Sequence, residues 1–243
     1  MLLWWRVPLR GASKAAWGDL LWEAPTMGYA HIDNLYKNQD ILLFRECYAS
    51  EKIHGSSAHV AFKDGALTFF AGGESHERFV ALFNAAALRV AIERLALPQV
   101  TVYGEVYGGR CQGMKHVYGP DLKFCAFDVK VGDLWLAVPD AEDVVQGLDL
   151  EFVPYMKIAT DLSAIDAARD TESVIALRRG IGLGKPREGV VLRPLIEVCK
   201  NNGERVIAKH KRNDFAERAT PQKVVDPAKL EVLKAATAIA DEW

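Results

Sequence analysis

Apolar and polar positions alternate with a period of two along several stretches of this chain, and turn residues punctuate them. Residues 41–49 read as a strand that runs directly into Lys52. Residues 58–62 and 66–70 flank Lys63-Asp64-Gly65, and Asp-Gly between two apolar runs predicts a hairpin. Lys52 therefore sits on the loop just before a hairpin. Over residues 76–97 the period changes: Phe79, Leu82, Phe83, Ala86, Val90 and Leu97 fall near helical spacing, and Pro98 marks the end. Residues 100–106 and 124–131 predict two more strands, and 133–138 pairs with the second of them across Gly132. A helix is expected over 163–179, closed by Gly180-Ile181-Gly182-Leu183-Gly184. Strands follow at 188–192 and 196–199, then a turn at Asn202-Gly203 leading into 205–209. Asp226-Pro227 has the form of an N-cap with Pro at the first helical position, opening a last helix to about Ala240. Strands dominate the middle without strict strand–helix alternation, so the expected class is α+β.

With 243 residues, half of them apolar and 26% charged, the chain has the composition of a globular protein with a real core. The net charge of −2 advertises no polyanion partner, but between Lys200 and Lys223 seven Lys or Arg face three Asp or Glu. That local basic excess suits phosphates, and equally suits a solvated face. Cys47, Cys111, Cys125 and Cys199 form no CxxC pair, and Cys125 and Cys199 lie in apolar runs, so both are expected as small buried hydrophobes in a reducing, intracellular compartment. The start, Met1-Leu2-Leu3-Trp4-Trp5-Arg6, has no signal-peptide pattern, and no apolar run approaches the ~18–20 residues that span a bilayer. A soluble, cytoplasmic chain is the expectation. Residues 1–27 form an unplaced extension, and 28–243 a single domain.

The chemistry concentrates in five ordered segments: Glu51-Lys52-Ile53-His54-Gly55, Tyr103-Gly104-Glu105, Phe124-Cys125-Ala126-Phe127-Asp128, Glu188-Gly189-Val190-Val191-Leu192-Arg193, and Lys209-His210-Lys211. A lysine amine in a glycine-containing turn, followed by two carboxylates and a lysine pair, suits a covalent nucleotide intermediate. Near its usual pKa of about 10.4 a lysine is a poor nucleophile at neutral pH, so it must be partly desolvated or placed near other cations. Taken singly the segments are weaker. Phe127 on residue type alone reads as core, and alternating lysines occur on any exposed edge strand. Glu105 in an apolar strand is harder to dismiss, because a buried carboxylate needs a partner or a metal.

In order and spacing, these segments resemble the successive nucleotidyltransferase motifs of ATP-dependent polynucleotide ligases, and His54 makes the likeness closest to the RNA ligase 2 family. His31-Ile32-Asp33-Asn34-Leu35-Tyr36 resembles the stretch near the start of such ligases, so the similarity spans about residues 28–218. The resemblance implies a ligase adenylation domain with antiparallel sheets around an ATP cleft. Several such ligases carry an additional C-terminal domain, and because this chain ends soon after the last motif none is expected here. It implies Lys52 as the adenylated nucleophile, with Glu51, His54, Gly55, Glu105, Phe127, Glu188, Lys209 and Lys211 contacting ATP. In that likeness Phe127 stacks on adenine, and Glu105 and Glu188 hold Mg²⁺, or Mn²⁺ in its place. Arg193, Lys211, Arg212 and Arg218 would meet nucleic acid, a nicked or broken RNA or RNA/DNA duplex. The implied reaction seals a 5′-phosphate to a 3′-OH, by a monomer, in RNA repair, in a host cytoplasm if the source is a phage. The alternatives are a DNA or mixed nick ligase, a GTP-using capping enzyme, or a protein that binds nucleic-acid ends without turnover.

Some positions depart from the pattern. Ser57 stands where such ligases usually carry Asn, Ala71-Gly72-Gly73-Glu74 lacks the arginine expected after the first hairpin, and Arg193 replaces a frequent Lys. Competing motifs fail: Pro186 follows Gly184-Lys185 where a phosphate-binding P-loop needs Ser or Thr, and the six histidines include no pair at zinc spacing.

Overall fold

A computed structural model describes residues 28–97 and 99–215. Residues 1–27, the stop at Pro98, the last helix and Arg218 lie outside the described residues. In chain order the strands are β1 (Glu46–Lys52), β2 (Ser56–Lys63), β3 (Ala66–Phe70), β4 (Gln99–Tyr107), β5 (Lys123–Val131), β6 (Leu134–Trp135), β7 (Tyr155–Ala159), β8 (Gly189–Pro194) and β9 (Ala208–Lys211). The helices are α1 (His76–Val80), α2 (Ala85–Arg94), α3 (Lys115–Tyr118), α4 (Val138–Gly147), α5 (Leu162–Asp170) and α6 (Val174–Arg178). The strands form two sheets, β7-β1-β8-β9 and β3-β2-β4-β5-β6, and every pairing of neighbours is antiparallel. The hydrophobic pattern predicts the mixed α+β class, and the family resemblance the antiparallel sheets; both are found. No helix among the described residues is long and apolar enough to cross a membrane.

Alternation along the strands sorts side chains into core and cleft. On the first sheet Cys47, Ala49, Val190, Leu192 and Ala208 point to one face, where Ile165 and Ala168 of α5 cover them. Their neighbours Ser50, Lys52, Val191, Arg193 and Lys209 point to the other face, toward the second sheet. The second sheet buries Val60, Phe62, Val100, Val102, Val106 and Val129 against α1, α2 and α4. The predicted hairpin forms as expected: Asp64 and Gly65 both take positive φ, 50° and 78°, the turn whose twist matches the strands it joins.

Several expectations shift, each for a local reason. The helix expected over 76–97 is two helices, because Asn84 accepts a hydrogen bond from the Ala87 amide at 3.1 Å and starts a new one. The helix expected over 163–179 breaks in the same way at Ser173, whose hydroxyl caps α6. Residues 40–43 form a 3₁₀ turn, so β1 begins only at Glu46. Val138 does not extend β6; with Pro139 it opens α4, where periodicity gave no warning. The strand expected at 196–199 reduces to a single bridge between Cys199 and Arg205, and Cys199 is exposed, not buried.

Candidate active site

Between the two sheets lies a cleft with about 890 Å³ of space, part of it open solvent, lined by residues of both sheets. Its direction follows from strand register. Lys52 at the end of β1 pairs with Gly189, and Gly189 pairs in turn with Lys211, so these three stand at one end of the first sheet. Arg193 pairs with Tyr48, four residues back, at the other end. On the facing sheet Ser57 lies opposite Glu105, and His59 and Asp128 lie opposite Tyr103, two residues along. One end of the cleft thus carries Lys52, Glu105 and Lys211, and the other carries Tyr103, Asp128 and Arg193.

The first end is built around Glu188, which is only 2% exposed. Its Oε2 lies 3.0 Å from the Lys52 Nζ and 3.3 Å from the His54 Nδ1, and its Oε1 lies 3.0 Å from the Lys211 Nζ. Burial alone would raise its pKa, but the His54 hydrogen bond, Lys52 and Lys211 outweigh it and hold the carboxyl at about 2. Glu105 goes the other way. Burial pushes it up to about 7, with neighbouring Glu188 adding to the rise, against the pull of Lys52 and the Gly55 amide. That amide donates to Glu105 Oε1 at 3.0 Å. Only glycine fits at Gly55, since an added Cβ would stand 2.1 Å from the Val106 carbonyl oxygen. The glycine of the Lys-x-His-Gly segment is therefore what lets the Lys52 turn dock on β4.

Lys209 and Lys211 share one face of β9, as the alternation predicts, with Lys209 on the cleft wall. His210 between them points away to α5, where its Nε2 lies 2.7 Å from Asp166 Oδ1. Phe127 reaches the cleft through a β-bulge. Tyr103 pairs with Asp128 and Gly104 with Ala126, which leaves Phe127 as the extra residue, so that consecutive Phe127 and Asp128 both line the cavity.

Some expected site residues are placed differently. The Glu51 carboxylate faces away from any ligand: it accepts from the Ser173 hydroxyl at 2.5 Å and the Val174 amide at 2.9 Å, and lies 3.8 Å from Arg187. It fixes the start of α6, and the chain can offer a nucleotide only the Glu51 backbone. Arg193, expected at nucleic acid, is 2% exposed and lies 3.0 Å from Asp128 Oδ1, with Glu197 and the Leu136 carbonyl as further partners. It is part of the cleft wall, not an outer surface. Arg212 is half-buried and donates to the Asp170 carbonyl at 3.2 Å.

Sequence reasoning missed the closing residues of the second end. Tyr29 donates to Asp128 Oδ2 at 2.5 Å and accepts from Arg205 at 2.7 Å. No periodicity or motif marks either Tyr29 or Arg205, because their roles depend on contacts 99 and 176 positions apart in the chain. At this end two arginines, Arg193 and Arg205, meet two carboxylates, Asp128 and Glu197, so the charges balance.

The donor set at the Lys52 end fits a divalent ion bound together with a ligand. Among the described residues no cluster of three or more His, Cys, Asp or Glu side chains could hold an ion alone. Magnesium typically takes one or two carboxylates and completes its shell with water and substrate phosphates. Glu105, whose proton is held by burial and by the negative charge of Glu188, is the kind of group a cation would ionise.

The sequence matches the family described as RNA ligase over residues 45–211. No curated protein matches it in sequence. In structure it resembles the RNA ligase of Naegleria gruberi. A mutant of that enzyme with ATP and Mn superposes with a TM-score of 0.62 at 16% identity, covering 79% of this chain and 57% of that one. A second mutant, with AMP and Mn, gives 0.62 at 16% identity over 79% and 58%. At that identity the likeness is one of fold, and the chain spans less than three-fifths of the length of those relatives. With more than half of its residues inside the family match, the chain belongs to the RNA ligase family.

Proposed function

We propose that this protein is an ATP-dependent RNA ligase that joins a 5′-phosphate to a 3′-OH through a lysyl-AMP intermediate on Lys52. The observation that carries the reading is the polarity of the cleft. The Lys52 amine lies 3.0 Å from a buried carboxylate at an end rich in cations, and an aromatic, charge-balanced end lies opposite. A nucleoside triphosphate has the same polarity, a flat base at one end and clustered anionic oxygens at the other. ATP laid along the cleft with its base on Phe127 brings its phosphates to Lys52, Lys209 and Lys211. His54 in the Lys-Ile-His-Gly segment favours the RNA ligase 2 type within the family.

In the first step the Lys52 nitrogen forms a bond to the α-phosphorus, the bond from that phosphorus to the pyrophosphate oxygen breaks, and the amine loses a proton. Lys52 is held for that attack by Glu188, which Lys211 and His54 fix in turn. Lys209 and Lys211 offset charge on the phosphates, and in phosphoryl transfer positioning and electrostatics supply most of the catalysis. A divalent ion at Glu105 and Glu188 supplies further neutralisation of phosphate charge when bound. AMP then passes to the 5′-phosphate of the nucleic acid, and the 3′-OH displaces it to seal the strand.

The discriminating experiment is a sealing assay on nicks with RNA or DNA placed independently at the 3′-OH strand, the 5′-phosphate strand and the template, run with ATP and with GTP. The proposal expects ATP-dependent sealing with RNA at the 3′-OH side. Sealing driven by GTP, or sealing of all-DNA nicks alone, contradicts it.

A further inference from the structure

Tyr29 is held as a fixed partition. Its ring packs edge-on against three others, with centroids 5.2 Å from Tyr103, 5.0 Å from Phe127 and 5.6 Å from Trp135. Its hydroxyl is pinned by Asp128 at 2.5 Å and by Arg205 at 2.7 Å. Arg205 is itself braced over the Trp135 ring at 4.1 Å. Three ring contacts and two charge-assisted hydrogen bonds leave the side chain no rotamer to move into without losing several of them.

What the partition separates is the cleft from a second hollow. That hollow offers about 970 Å³ of space, part of it open solvent, and has Trp135, Asn202 and Arg205 on its walls. Tyr29, Ala30, Ile32 and Ile207 line both spaces. Of these four Tyr29 is the largest, and it stands beside Phe127 at the end of the cleft away from Lys52. We infer that Tyr29 is a specificity-determining wall that limits the size of the nucleobase this protein accepts, and that space for a larger base lies directly behind it. This rests on the proposed use of ATP. A rigid wall rejects by steric clash, one of the two ways in which a site discriminates between ligands.

The test uses the full chain, magnesium, and intact-mass detection of the adduct on Lys52. Three nucleotides are compared: ATP, ATP carrying a benzyl group on its exocyclic amine, and ATP carrying a phenylamino group at C2. Wild type should take AMP from ATP and give little adduct from either enlarged analogue. Tyr29→Ala and the milder Tyr29→Leu should still form adduct with ATP, more slowly, and should gain at least about tenfold with one or both analogues, the scale on which pocket size discriminates. Tyr29→Phe, which keeps the ring, should continue to refuse them. If neither smaller Tyr29 variant folds, Ile207→Ala thins the same wall and should show the same gain. The proposal is overturned if wild type takes the enlarged analogues as readily as ATP. It is also overturned if folded wall variants still refuse them or lose the ATP adduct altogether, or if Tyr29→Phe admits them as Tyr29→Ala does. A wild type modified by no nucleotide sinks the ligase reading, and this proposal with it, and is recognised by the missing ATP adduct itself.

Discussion

Glu105 and Glu188 show how two carboxyls in one cleft acquire opposite characters. Glu188 is surrounded by two lysines and a hydrogen-bonding His54 ring and held at about 2, whereas Glu105 is buried with a like charge nearby and raised to about 7. Both have consequences for stability. A carboxyl raised from 4.5 to about 7 in the folded state binds more protons folded than unfolded between those values, so it removes stability as pH rises through that window. Glu105→Gln should flatten the fall and leave the ligand-free protein about 1–3 kcal/mol more stable than wild type above pH 7, read by denaturant titration. An unchanged pH slope contradicts the assignment. Glu188 contributes in the opposite sense: its stabilisation is present above 4.5 and disappears as pH falls toward 2. Lys211→Ala removes a partner of Glu188 and a cation of the phosphate end. Lys52 adenylation or strand sealing should then fall by at least about tenfold, a loss of ~1.4 kcal/mol or more in transition-state stabilisation. Near wild-type rates would return Lys211 to the role of an ordinary edge-strand lysine.

At the level of elements, the strands that carry the chemistry were legible and the breaks between helices were not. The Asp64-Gly65 hairpin, the alternation that puts Lys209 and Lys211 on one face, and the strands through Glu105 and Phe127 all follow from a period of two and turn chemistry. Helical periodicity, by contrast, is blind to capping. The apolar pattern runs through Asn84 and Ser173, and only the competition between their side chains and the helical backbone divides each segment. Ser173 is doubly tied, since its hydroxyl also donates to Glu51, so the side chain beside the nucleophile was spent on helix placement where a role in the pocket was expected. The partition at Tyr29 was illegible for a different reason, since it exists only where three distant segments meet. Two substitutions test the element-level account. Asn84→Ala should cost about 1 kcal/mol of stability by removing a cap. Gly55→Ala forces a Cβ against the Val106 carbonyl and should cost about 1–3 kcal/mol while displacing the Lys52 turn. Thermal unfolding of both variants checks these losses, and a Gly55→Ala protein as stable and active as wild type would refute the close approach.

Across the whole molecule, function comes from setting two antiparallel sheets face to face so that one cleft has two unlike ends. The core faces of both sheets are apolar and covered by helices, which leaves the inner faces to carry the charged and aromatic groups. The register of β1, β8 and β9 collects lysines and Glu188 at one end, and the β5 bulge delivers Phe127 and Asp128 toward the other. Everything proposed for this protein requires that the Lys52 nitrogen become covalently bonded to the α-phosphorus of ATP. Intact-mass spectrometry of the purified chain after incubation with ATP and magnesium is the most direct measurement. Wild type should gain the mass of one AMP, lost again on treatment with acid, and Lys52→Ala should remain unmodified. A wild-type chain of unchanged mass, or a Lys52→Ala chain that gains AMP as readily, would contradict the account.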